Sequence, residues 1–196
     1  MALWGATDAD ESKPKWMTTA DKKEVLATTA GWVVEAGSTM TGNDNTASTP
    51  EVLVATGNLT TSLGAATIDS VEWITTTADK SAGFTLSARV RYNEEVDVAV
   101  SNPTIAVTNS NAGSGSGRGP HTLTSWSGTG SNELVFSLVI AAANAATNAD
   151  DVLSIGAQNV TLASSSTIKD AGTSTNSEVA ISAGQGTAAG TLTVVA

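Results

Sequence analysis

The chain contains no cysteine. That excludes disulfides, thiol catalysis and the usual structural zinc sites, and it leaves the compartment open. Aromatic residues make up only 4% of the 196 residues, so a core must be built mainly from Val, Leu, Ile and Ala. Charged residues are also sparse, at 14%, which leaves Thr, Ser, Asn and Gly to cover the surface. Positive charge is scarcest: 9 Lys and Arg stand against 19 Asp and Glu, for a net charge of −10 and a pI near 4.3. A polyanion would be repelled, so nucleic acid is not expected as a partner. No apolar run approaches the about 18 residues of a membrane-spanning helix. The longest, near 134–146, is broken by Ser137 and Asn144. The first residues carry Asp8 and Asp10 without a positive n-region or a following apolar stretch, so no secretory signal is expected.

What is present suits β structure. Thr and Val fit a pleated surface, and Gly and Asn supply turns. Residues 1–17 read as an extended arm, with Pro14 barring helix. Residues 18–30 read as one short helix, opened by a weak capping box at Thr18 and Asp21 and stopped by Gly31. Residues 31–38 return to extended chain, 39–50 form a polar loop, and 51–59 read as a strand.

From residue 66 the pattern changes. The stretch 66–77 alternates, with Ile68, Ser70, Glu72 and Ile74 on one face. The clearest period of two lies at 84–100, where Phe84, Leu86, Ala88, Val90 and Tyr92 share a face opposite Thr85, Ser87, Arg89 and Arg91. Further short apolar segments follow, separated by Gly, Asn, Ser and Asp. Seven or more strands at this spacing indicate a β-sandwich. The expected organisation is an assembly region at 1–65 and a sandwich domain at 66–196.

Candidate chemistry is thin. His121 is the only histidine, and no serine is set in a nucleophile elbow. Glu94 and Glu95 are adjacent and would face apart on a strand. "ATNADDV" offers clustered oxygen atoms, so a calcium site at Asp150 and Asp151 is worth testing, but no EF-hand loop is matched. "GSGSGRG" lacks the lysine and the helix of a phosphate loop. No enzyme activity, cofactor or metal is expected.

The unusual feature is the N-terminus. Trp4, Trp16 and Trp32 are three of five tryptophans, and Lys13, Lys15, Lys22 and Lys23 are four of nine positive charges. Ordering such a segment costs on the order of 1.5 kcal/mol per residue, more than its own apolar residues can offset. A docking role is expected for Trp4, Lys13, Lys15, Trp16 and Trp32, against an acidic surface of the sandwich or of another subunit.

Two resemblances add to this. "VRYNEEVDV" (90–98), "NPTIAV" (102–107), "NELVFSLVI" (132–140) and "STIKDAGTSTN" (166–176) resemble, in order and spacing, the immunoglobulin-like repeats of bacterial surface and adhesin proteins. The resemblance implies an immunoglobulin-like β-sandwich, with Glu94 and Glu95 in a tight turn and 166–176 in a loop. "MALWG", "DESKPKW", "ATTAGWVVEAGS" and "PEVLVATGNL" are similar to the openings of small virion proteins of tailed phages, cyanophages in particular. That implies a non-enzymatic virion protein, made in the host cytoplasm and carried on the capsid exterior as a decoration protein. Its expected partners are the major capsid protein or other virion subunits, including further copies of itself, and a host-surface glycan. The competing expectation is a receptor- or glycan-binding module on a tail, fibre or cell surface.

Overall fold

A computed structural model describes residues 13–14, 16–28, 31–41, 45–55, 65–100, 102–111 and 119–196. Among them β structure dominates. A helical turn α1 (Thr19–Lys22) leads into β1 (Val25–Thr28), β2 (Gly31–Val34) and β3 (Glu51–Ala55), which form an antiparallel three-stranded sheet. The helix expected over 18–30 is therefore corrected. The capping box at Thr18 and Asp21 is real, but the helix ends after one turn. Val25, Leu26, Ala27 and Thr28 instead pair with Val34, Val33, Trp32 and Gly31. Only Val25 and Leu26 could have held a helix, whereas β-branched residues paired in a ladder are at home in a sheet.

This sheet has a core of its own. Met17, Val25, Ala27, Trp32 and Val34 pack together, with Met40, Leu53 and Val54 against them. The N-terminal region was expected to lack enough apolar residues for this. The ladder supplies what a linear reading omits, because it brings 53–54 against 25–34.

The larger body is a two-sheet sandwich. Its first sheet runs β4 (Ile68–Trp73), β6 (Phe84–Ala99), β10 (Ser131–Ile140), β9 (Ser125–Ser127). The second runs β5 (Ala78–Asp79), β15 (Thr191–Val195), β11 (Asp151–Ser154), β7 (Ile105–Asn111), β8 (His121–Leu123). Both sheets pair strands that are distant in sequence, β6 with β10 and β11 with β15 among them, as Greek-key connections do. Residues 155–190 are inserted between β11 and β15. They carry the ribbon β12 (Gln158–Asn159) with β14 (Ala180–Ile181), the strand β13 (Thr167–Asp170) and the helix α2 (Ala183–Ala189). The chain changes sheets by short steps, among them β4 to β5 through 74–77, β5 to β6 through 80–83 and β8 to β9 at Thr124. Leu86, Ala88, Val90, Leu134 and Phe136 of one sheet meet Ile105, Val107, Leu123, Leu153 and Val194 of the other in a dry core.

Two further expectations change. Residues 167–170 form a strand on β6, not a loop. Glu94 and Glu95 lie within β6, where the register against β10 jumps from Val96 to Arg91, and not in a turn. They do face apart: Glu94 is buried and Glu95 exposed.

Candidate functional site

The inward face of β6 is filled by Leu86, Ala88, Val90 and Tyr92, so alternation turns Arg89 and Arg91 outward. The register then places opposite charges beside them. Glu72 of β4 sits across from Arg89, and Glu133 of β10 across from Arg91. Arg89 meets Glu72 at 3.0 Å and Glu133 at 3.5 Å. Arg91 Nε lies 2.6 Å from Glu133, a charge contact without hydrogen-bond geometry.

The N-terminal sheet docks on this row by charge. Lys23 Nζ reaches Glu72 at 2.5 Å. Arg91 pairs with Glu35 at 3.2 Å and donates to the Lys23 carbonyl at 2.9 Å. Lys13 Nζ pairs with Asp69 and donates to the Lys22 carbonyl at 2.6 Å. Two hydrophobic cores are thus joined across a seam of ion pairs. Burial pushes the Glu35 carboxyl up, with Glu133 and Glu24 adding to this and Arg91 opposing it. Burial would raise Glu72 too, but the Lys23 hydrogen bond and charge, with Arg89 and Arg91, hold it below the ordinary value. Burial lowers Lys13 despite Asp69.

Beside the seam is a cleft of about 550 Å³, walled by Glu24, Glu35 and Ser38 on one side and Arg91, Asn132 and Glu133 on the other. Asn132 comes near enough to Glu35 to lower its pKa, yet its Nδ2 makes no hydrogen bond of normal geometry.

The expected docking residues separate into different roles. Trp16 is 69% exposed. It is held there because Pro14 and Met17 on either side are buried and Met17 N donates to the Pro14 carbonyl at 3.2 Å. Trp32 is 1% exposed and fills the core of the small sheet. It is a packing residue here, not an available anchor. Lys13 is spent on Asp69, so the acidic surface it meets is the chain's own sandwich. Trp4 and Lys15 lie outside the described residues. Trp73 and Trp126 pack on the sandwich core, their indole N–H groups donating to Gly190 O at 3.3 Å and Asn102 Oδ1 at 3.0 Å. Sequence reading missed Glu35, Glu72 and Glu133. Their one signal was the Arg89 and Arg91 pair on a strand's polar face, and the register that completes it is not written in any single segment.

A second polar cluster lies between β7, β8 and β11. Asp151 is fully buried and accepts from Asn109 Nδ2 at 2.7 Å and Asn148 N at 2.8 Å. Asp150 is exposed, so the two carboxylates do not converge. Among the described residues no group of three or more His, Asp or Glu side chains is arranged to hold a metal ion. His121 Nε2 lies 3.1 Å from Thr147 Oγ1, and both residues are buried. Burial lowers the His121 pKa, with Asp151 opposing it. A depressed histidine pKa means that the unfolded chain takes up the proton first. Stability should therefore fall as pH drops below the ordinary 6.5. Denaturation midpoints measured from about pH 7 to about pH 5.5 should decline, and His121→Gln should remove that decline. Glu35 acts in the opposite sense, and Glu72 loses its contribution only below about 4.5, so the difference between the two proteins isolates His121.

Compared with known protein families, with curated proteins and with solved structures, the chain matches none.

Proposed function

We propose that this chain is a non-enzymatic structural protein of a phage particle, a capsid decoration protein held by its N-terminal region with the sandwich projecting outward. The observation that carries this reading is Trp16. The chain commits Trp32, Trp73 and Trp126 to its own packing, but it fixes Trp16 on a turn and leaves it 69% exposed. Tryptophan is enriched in interface hot spots, and an anchored turn holds this one in place before binding. The partner is the major capsid protein or a neighbouring subunit. The acidic sandwich supplies a soluble outward surface. The resemblance of the N-terminal segments to small phage virion proteins supports the same placement.

Co-sedimentation with separated phage heads and tails tests the proposal. The full chain should sediment with heads, and Trp16→Ala should weaken that association by about 30-fold, the effect of a hot spot of about 2 kcal/mol. Deleting residues 1–35 is a poorer test, because it removes β1, β2 and the seam together. Binding to tails, or binding to heads unchanged by Trp16→Ala, would overturn the decoration reading. The second reading, a receptor- or glycan-binding module on a tail, fibre or cell surface, is favoured by one observation, the polar cleft beside the seam.

A further inference from the structure

We infer that the cleft between the N-terminal sheet and the outer face of the sandwich is a binding site for a neutral polyhydroxylated ligand, that is, a saccharide. Its volume of about 550 Å³ falls within the range of small-molecule sites, about 300–1,000 Å³. It is walled from two bodies, with Glu24, Glu35 and Ser38 on the N-terminal side and Arg91, Asn132 and Glu133 on the sandwich side.

The charge pattern selects the ligand class. Arg91, the one cation among these six residues, already has carboxylate partners inside the protein. Arg91 is held by Glu35 and Glu133, and Glu24 accepts from the Ser38 hydroxyl. An anion would have to displace Glu35 or Glu133 from Arg91 and leave a carboxylate unpaired in a partly dry site, and a cation would have to compete with Arg91 for the same carboxylates. Hydroxyl groups need no such displacement. Each can donate to a carboxylate lone pair left over from an ion pair and accept from an unused N–H. Asn132 provides that N–H: it is 8% exposed, and its Nδ2 is buried and, although close to Glu35, makes no hydrogen bond of normal geometry. A buried donor left unmade is unfavourable until something fills it. Trp16 is not among the lining residues, so this site does not rest on the docking role of that residue.

The hydroxyls could belong to a free sugar or to a chain of surface polysaccharide. Calorimetric titration of the full chain with maltohexaose, cellohexaose and chitohexaose, and separately with glucose, galactose and N-acetylglucosamine, distinguishes the two. Saturable binding of a hexamer alone identifies a polysaccharide site, and binding of a monomer identifies a free-sugar site. Either result should be weakened about tenfold or more by Asn132→Leu. It should be weakened likewise by Thr39→Trp, which blocks the mouth from an exposed position without touching the ion pairs. Because Asn132→Leu alters a buried residue, Thr39→Trp with an unchanged melting temperature is the decisive variant. No saturable binding of any probe up to roughly 10 mM, or binding indifferent to Thr39→Trp, would overturn the inference.

Discussion

Replacing Arg91 by alanine is expected to release the N-terminal sheet from the sandwich while both cores stay folded. Arg91 is 5% exposed and holds Glu35, Glu133 and the Lys23 carbonyl at once. Removing one member of a buried ion pair typically costs about 3–5 kcal/mol, because the partner charge is left uncompensated. Here two carboxylates are left, but their side chains keep 20% and 25% exposure. Water then screens part of the loss, which places the expected cost near 3 kcal/mol. Hydrogen exchange by mass spectrometry should show lost protection in 25–34 and 51–54 and retained protection in 84–92 and 133–140. Arg91→Lys keeps the charge but not the three-way fork, and should fall between alanine and the native residue. If all segments lost protection together, the two cores would be one cooperative unit and the seam would not be their joint.

Gly128→Ala should be the most damaging single-methyl change in the sandwich. Gly128 has φ +110, a backbone conformation that residues with a Cβ rarely adopt, and an added Cβ would lie 1.9 Å from the Glu133 carbonyl oxygen. That atom is backbone, so the turn between β9 and β10 must move. The turn is also tied down, since Ser131 N and Oγ donate to Gly128 O and Gly130 N donates to Val96 O. Strain and steric overlap together should cost on the order of 3 kcal/mol in denaturant unfolding. Gly130 makes a clean control. It has φ +74 but nothing within 4 Å of an added Cβ, so Gly130→Ala should cost only about 1–2 kcal/mol. Equal losses at the two sites would mean that conformation alone, and not the contact with Glu133, decides the outcome.

The sandwich was legible where one strand is long enough to show its period. The 16 residues of β6 put Leu86, Ala88, Val90 and Tyr92 inward, as alternation requires. Alternation failed at β4. A register shift between Ile68 and Ser70 puts Ile68 and Val71 in the same core, although a strict period of two separates them. The segment "HTLTSWS" reads as one strand, but Thr124 passes it from one sheet to the other, a step that leaves no local mark. The helix α2 was missed because its sequence "AGQGTAA" has two glycines and no apolar stripe. Its capping box at Ser182 and Gln185 was the available signal. The seam was the least legible part. Each of its residues looks like ordinary surface charge in its own segment, and only the strand register and the fold of the small sheet bring Glu35, Arg91 and Glu133 together. The same holds for Trp32. A tryptophan in a polar stretch invites a docking role until Leu53 and Val54 are seen to help cover it.

Oxidative footprinting of Trp16 tests the central claim most directly. Hydroxyl radicals are generated with the free chain and with the chain bound to phage heads, and oxidation of each tryptophan is read by mass spectrometry. Trp16 should be strongly oxidised in the free chain and protected on the particle, while the buried Trp32 stays protected in both. Trp16 equally oxidised in both states would contradict the account and remove the proposed anchor.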